Sequence, residues 1–247
     1  VRTLGKVMQA AGSTLEALKE GFDVVRAGRD FLDPDCFSVH LVVEGRDAAD
    51  ADAKAVAARA LLGASGSEVA NSVPKVLRAE PFAELNSMLG PQGERWVPVH
   101  GIVPFSVAAQ MYADCEAVFE RHAEARSRYR IEHGYLCTTV ATSGTLIEPV
   151  IYWPDARNCF HERVLAPDYL AKLPLHDENP AAREAVAQLR AELAAAFLRR
   201  GAVSFQIGKF YPYQQALDPS AAQLLESVKR VVDPQGRMNP GSLGLAQ

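Results

Sequence analysis

Residues 129–153 read YRIEHGYLCTTVATSGTLIEPVIYW, and the fold turns on this stretch. Two runs rich in β-branched and aromatic residues, Tyr129 to Ala141 and Thr145 to Trp153, flank Ser143-Gly144, a two-residue turn signal. The expected product is an antiparallel hairpin whose first arm bends at Gly134. A turn at Ser143-Gly144 sets Val140 opposite Ile147 and Thr139 opposite Glu148. Leu136, Val140, Ile147 and Ile151 then share one face, and Cys137, Thr139, Glu148 and Tyr152 the other. The first face is expected to meet helices.

The segments on either side fit that frame. Trp96 to Val103 reads as a strand interrupted at Gly101, and Pro104 leads into a helix from Ser106 to about Glu124. Its stripe of Val107, Met111, Cys115, Val118 and Phe119 is a core face. Pro154 to Asn179 holds three prolines and reads as a long loop. Pro180 to Arg200 is a helix with Val186, Leu189, Leu193 and Phe197 on one face and Gly201 placed to stop it. Val203, Phe205 and Ile207 alternate as a further strand, with Ser204 and Gln206 on its opposite side. Asp218-Pro219 caps a last helix through Leu224, Leu225, Val228 and Val231.

Nearer the start, Thr14 to Ala27 reads as a helix with Leu15, Leu18, Phe22 and Val25 at helical spacing. Phe37 to Glu44 alternates as a half-buried strand, and Asp47 caps an Ala-rich helix ending near Gly63. Phe82 to Leu89 reads as a short helix and Gly90-Pro91-Gln92-Gly93 as a turn. The expected fold class is α+β, a largely antiparallel sheet covered on one face by helices.

Composition narrows the function classes. With 48% hydrophobic and 23% charged residues, the 247-residue chain has the makeup of a globular protein. A formal net charge of −4 gives no basic footprint for nucleic acid. No apolar run reaches the roughly 18 residues of a membrane span. Cys36, Cys115, Cys137 and Cys159 form no C-x-x-C pair and read as reduced, mostly buried thiols, which points to the cytoplasm. The six histidines make no metal-ligand spacing on a single helix or strand, so no metal site is expected. There is no G-x-G-x-x-G after a strand and no Walker loop.

Chemistry is expected on the sheet face turned away from the helices. Glu148, Tyr152 and Gln206 project there, a polar set suited to a small polar substrate. His100, beside Gly101, is a candidate acid or base, with His133 and His161 behind it.

The ending Leu224 to Gly241, a helix followed by Asp233-Pro234-Gln235-Gly236-Arg237-Met238-Asn239-Pro240-Gly241, resembles the close of FAD-linked oxidases of the vanillyl-alcohol oxidase and p-cresol methylhydroxylase superfamily. Their pattern there is D-P-x-G-x-x-N-P-G. Arg95-Trp96 with Gly101, before the Ser106 helix, is similar to a W-x-x-x-G segment of the vanillyl-alcohol branch. The resemblance runs from about Phe37 to Leu243.

It implies that residues 1–247 are the C-terminal, ferredoxin-like cap of such an enzyme, lacking the N-terminal FAD-binding domain, which would be the main partner. The start at Val1, without an initiator Met, agrees with an upstream segment. Asn239, Pro240 and Gly241 are the flavin-proximal residues so implied, with FAD held non-covalently because no His or Tyr stands at Thr145 to Ile147. The metal-binding histidines of the 2-hydroxy-acid branch are replaced by Ala141 and Glu148, and its G-E-H-G strand reads Phe205-Gln206-Ile207-Gly208.

The expected activity is hydride transfer from a substrate C–H to flavin, with an aromatic alcohol or alkylphenol as first substrate class and a hydroxy acid as second. Glu148 would accept a hydroxyl proton, Tyr152 and Tyr211 donate or stack, Lys209 neutralise an oxyanion, His100 assist, and Gln206 and Thr139 contact substrate. A free-standing ligand-binding domain and a module for homodimer formation are the alternatives.

Overall fold

In a computed structural model the described residues are 37–69, 71, 74, 78 and 85–245. The helix expected over residues 14–27 lies outside them. The chain divides into two compact units, Val1–Glu84 and Leu85–Gln247.

In the first unit, α1 (Ala48–Leu62) starts where the sequence puts it. The Asp47 carboxylate accepts the Asp50 N–H at 2.9 Å, and Gly63, at φ 49°, closes the C-terminus. The strand expected over Phe37 to Glu44 is not present. That segment has no strand partner among the described residues, and Phe37, Val39 and Leu41 are exposed. Alternation creates a strand only where a neighbouring strand takes up its backbone groups.

The second unit carries the sheet. Its strands are β1 (Arg95–Pro98), β2 (Gly101–Pro104), β3 (Glu132–Val140) and β4 (Gly144–Trp153), all antiparallel. β4 is central: β3 lies on one side, and β1 and β2 share the other. Between them run α2 (Phe105–Arg121) and α3 (Ala123–Tyr129), and after β4 come α4 (Cys159–Val164), α5 (Pro167–Leu170), α6 (Pro180–Arg199), α7 (Tyr213–Ala216) and α8 (Pro219–Val232). The fold is therefore α+β with an open four-stranded antiparallel sheet.

β1 and β2 are two halves of one line of chain. Arg95 pairs with Trp153 and Gly101 with Ile147, so the register is unbroken across the gap. The ladder fails at Val99 because its opposite number is Pro149. Val99 N–H donates to the Pro149 carbonyl at 3.0 Å, but proline has no N–H to return. The interruption thus sits at Val99-His100, not at Gly101, and the same register sets His100 across from Glu148.

Helices α2 and α6 pack against one face of the sheet. Met111, Cys115, Val118 and Phe119 of α2 and Val186, Leu189, Leu193 and Phe197 of α6 are buried against Val99, Val103, Ile147, Ile151 and Trp153. Each large side chain so buried contributes about 1.5–3 kcal/mol. Gly101 belongs to this face because a Cβ there would lie 2.3 Å from the Phe197 ring. Asp155 locks the end of the layer. Fully buried, it accepts from Arg183 Nε at 2.5 Å, Arg95 Nη1 at 3.1 Å, the Trp153 indole and the Asn179 N–H.

The hairpin differs from its sequence reading. Thr139 pairs with Thr145 and Leu136 with Glu148, so the turn is the three residues Ala141-Thr142-Ser143, with Ala141 at φ 51°. A slip of three positions exchanges the faces of β3. Cys137 and Thr139 therefore fall on the helix side and Leu136 joins Glu148. The buried face of β4, already committed by Ile147, Ile151 and Trp153, decides the register. The strand expected after Gly201 reduces to one bridge, Ile102 with Val203, and Phe205 and Ile207 are exposed. Of the three described cysteines, Cys115 is buried, whereas Cys137 and Cys159 are exposed, contrary to the expectation of mostly buried thiols.

Candidate functional site

The side of the sheet away from α2 and α6 holds a polar cluster centred on His100, which is 1% exposed. Strand alternation turns the His100 N–H away from β4, and it donates to the Tyr211 hydroxyl at 3.1 Å. The same oxygen lies 2.8 Å from His100 Nδ1, Ser204 Oγ lies 2.9 Å from Nε2, and Glu148 Oε2 lies 3.8 Å from Nδ1. The Phe205 ring stacks on the imidazole at 4.2 Å between centroids. Three elements thus converge: the β1–β2 line supplies His100, β4 supplies Glu148, and the segment after Gly201 supplies Ser204, Phe205 and Tyr211.

The hydrogen-bond geometry assigns the tautomer. A carboxylate beside Nδ1 and a phenol oxygen with two lone pairs both favour hydrogen on Nδ1. Nε2 is then left to accept the Ser204 hydroxyl. Burial lowers the His100 pKa from its ordinary 6.5, which keeps the ring neutral near pH 7, and burial raises that of Glu148 from 4.5. The Tyr211 phenol is pushed up by burial and by the Glu148 charge, partly offset by the His100 N–H and by Arg190.

A pocket of about 100 Å³ opens beside this cluster. His100, Ser204, Tyr211 and Tyr213 give its polar wall, and Phe197 and Leu217 belong to its apolar lining. No Lys or Arg lines it. Cavities of this order hold one small ring.

The cluster unites three of the residues expected from sequence: His100, Glu148 and Tyr211. Others fall elsewhere. Tyr152 shares the Glu148 face but sits four residues along β4, about 13 Å away at ordinary strand rise, beside Gly90 and Glu94. Thr139 is on the opposite face, for the register reason given above. Gln206 and Lys209 are exposed in a segment that is not a strand, and only the Gln206 carbonyl reaches the cluster, 3.4 Å from Ser204 Oγ.

Asn239, Pro240 and Gly241 form a turn in which Asn239 and Pro240 are exposed and Gly241 is half-buried. Asn239 is at φ 46° and Gly241 at φ 78°, and a Cβ on Gly241 would meet nothing within 4 Å. Asp233 organises the approach to it by accepting the Arg237 and Met238 N–H groups at 2.9 Å. Just past the turn, Leu243 N–H donates to the Gly208 carbonyl at 2.7 Å, tying the tail to the segment that covers His100.

Sequence reasoning gave Ser204 a place on a face but no role, because its partner is 104 residues away. Arg190 went unnoticed: it is half-buried over the Phe210 ring at 4.0 Å. The weaker histidines have structural partners. His133 bonds Glu116 and Arg126 and stacks on Phe119, and His161 completes a capping box with Asn158. Among the described residues no group of three His, Cys, Asp or Glu has the arrangement of a metal site, and no helix is long and apolar enough to cross a membrane.

Comparison with known proteins adds no relative: no family model matches the chain, nor does any curated protein or solved structure.

Proposed function

We propose that this chain is the substrate-covering cap of an FAD-dependent oxidoreductase, with the flavin held by a separate N-terminal domain, and that its substrate is an aromatic alcohol or alkylphenol. Under this reading the open sheet is the ferredoxin-like sheet of such a cap. The observation that carries it is the junction of two features far apart in sequence. The Asn239-Pro240-Gly241 turn is followed directly by a backbone bond onto the segment that closes over His100, Glu148 and the pocket.

The residues present fit the cofactor in one respect that can be tested on geometry. Asn239 and Pro240 are exposed and a Cβ on Gly241 would meet nothing within 4 Å, so a planar ring can approach the backbone of the turn closely. When bound, the flavin supplies the acceptor for hydride leaving a substrate C–H. The chain's own groups do the rest. The apolar lining takes a ring, and the neutral His100 and the Glu148 carboxylate stand ready for a hydroxyl proton. An aromatic substrate is favoured over a 2-hydroxy acid because a carboxylate needs a cation, and the lining holds none.

The test is an extended protein carrying the upstream coding sequence. It should be yellow as purified, and its flavin should bleach anaerobically with 4-alkylphenols or benzylic alcohols but not with lactate. A colourless extended protein, or bleaching by 2-hydroxy acids alone, would overturn the assignment.

A further inference from the structure

We propose that Ser204, His100 and Glu148 form a nucleophile-activating triad that transfers short acyl groups from small uncharged esters. The inference goes beyond the oxidoreductase reading, needs no flavin, and stands or falls separately from it.

Its basis is the mutual placement of the three side chains. Ser204 Oγ is within hydrogen-bond reach of His100 Nε2 at 2.9 Å, and Glu148 Oε2 lies 3.8 Å from the other ring nitrogen. A hydroxyl, an imidazole and a carboxylate in that order are what activation of a serine requires: a base to take the proton and an anion to orient the base. The imidazole is held by its hydrogen bonds to Tyr211 and Ser204, with the Glu148 charge beside it at 3.8 Å. Tyr211 bonds both Nδ1 and the His100 backbone N–H, and Phe205 stacks on the ring, so its plane is fixed. The base is neutral near pH 7, as the role demands.

Access supports the same reading. Ser204 and His100 both line the pocket of about 100 Å³, whose remaining walls include Phe197, Ala202 and Leu217. A space of that size and polarity takes a short apolar acyl chain and excludes charged substrates.

Ser204 Oγ bonds to the ester carbonyl carbon while its proton passes to His100 Nε2. The carbon–oxygen bond to the leaving group breaks, and the departing alkoxide or phenoxide takes that proton. An acyl ester of Ser204 and a free alcohol result. Water then attacks the acyl carbon, giving its proton to Nε2, and the acid leaves as Ser204 Oγ takes the proton back.

The experiment uses the full 247-residue chain with two probes: an alkyl fluorophosphonate, which phosphonylates an activated serine with loss of fluoride, and p-nitrophenyl acetate. Tandem mass spectrometry should find the phosphonyl group on Ser204, and stopped-flow absorbance should show a burst of p-nitrophenolate. Ser204→Ala should lose both signals while unfolding in urea as cooperatively as the parent. Glu148→Gln should slow phosphonylation about tenfold or more. The proposal is overturned if Ser204 stays unlabelled in folded protein, or if it reacts no faster there than in the urea-unfolded chain. It is also overturned if Ser204→Ala keeps the burst. In any of those cases His100 is only a hydrogen-bonded core histidine.

Discussion

Replacing Tyr211 by Phe removes one oxygen atom and tests the centre of the site. That oxygen accepts the His100 backbone N–H at 3.1 Å and bonds Nδ1 at 2.8 Å. His100 is 1% exposed, so solvent reaches these partners only through the pocket that His100 and Tyr211 line. A buried polar group left without a partner costs about 1–3 kcal/mol, and two are orphaned here. They are not equal. Glu148 Oε2, already 3.8 Å from Nδ1, can move in and recover the side-chain bond, but the backbone N–H has no comparable substitute. The ring of Phe keeps the packing against the core. The expected loss is therefore about 2–4 kcal/mol, toward the lower end if Glu148 closes up. Urea denaturation near neutral pH measures it. Nitrogen chemical shifts of the His100 ring report the second effect: with the carboxylate drawn onto Nδ1, the imidazole pKa should rise. A loss below about 0.5 kcal/mol with an unchanged His100 titration would refute the hydrogen-bonded cluster.

Four further outcomes follow from particular contacts. Ala141→Gly should raise stability by about 0.5–1 kcal/mol in thermal or urea unfolding, because Ala141 pays for a left-handed conformation at φ 51°; destabilisation would restore the two-residue turn at Ser143-Gly144. Gly101→Ala should cost about 1–3 kcal/mol, since its Cβ would meet Phe197 at 2.3 Å; an unchanged urea midpoint would mean that α6 does not press on the β1–β2 line. Asp155→Ala should cost about 3–5 kcal/mol by leaving Arg95 and Arg183 without their shared carboxylate, somewhat less if the partly exposed Arg183 turns to water; a loss under about 1 kcal/mol in the same assay would count against a tight hub. In a pH series, His100 binds a proton more weakly folded than unfolded, so its contribution is complete above pH 6.5 and is lost as pH falls below that value. Glu148, raised above 4.5, acts oppositely: its contribution is present below pH 4.5 and lost as pH rises through its folded pKa, and Glu148→Gln should abolish that second limb.

The two long helices show what a sequence carries well. Their apolar residues recur every three or four positions, and the stripe on α6, Val186 to Phe197, is buried as the spacing requires. Caps are equally local: Asp47, Asn179 and Asp218 each accept a backbone N–H from two or three residues ahead. The hairpin marks the limit. Ser143-Gly144 is the stronger turn signal taken alone, yet the pairing is set by which residues of β4 are already buried against α2 and α6. Local chemistry proposes a turn, and the core chooses the register. The last helix shows the same limit from another side. α8 starts and stops where predicted, but Leu224, Val228 and Val231 are exposed and no residue of α8 is buried, so its stripe is not part of this core.

The sequence alone determined the α+β class, the extents of α1, α6 and α8, and the orientation of Glu148 away from the helical layer. These depend on periodicity and on groups within a few residues of one another. By contrast, α4 and α5 lie in the stretch Pro154 to Asn179 that reads as a loop, and α3 and α7 were not legible either. The tertiary structure alone decided the cluster, because its members come from positions 100, 148, 204 and 211 and meet only after the sheet has closed. It also decided that Tyr152, Thr139, Lys209 and Gln206 stand outside it. The physical reason lies in strand alternation: Val99 N–H is turned toward β4 and donates to Pro149, so the next N–H, that of His100, is turned away from β4 and meets Tyr211, while Tyr211 and Ser204 engage the two ring nitrogens. Alternation can be read in a sequence, but which partners the outward groups of His100 meet cannot be read until the segment after Gly201 is in place.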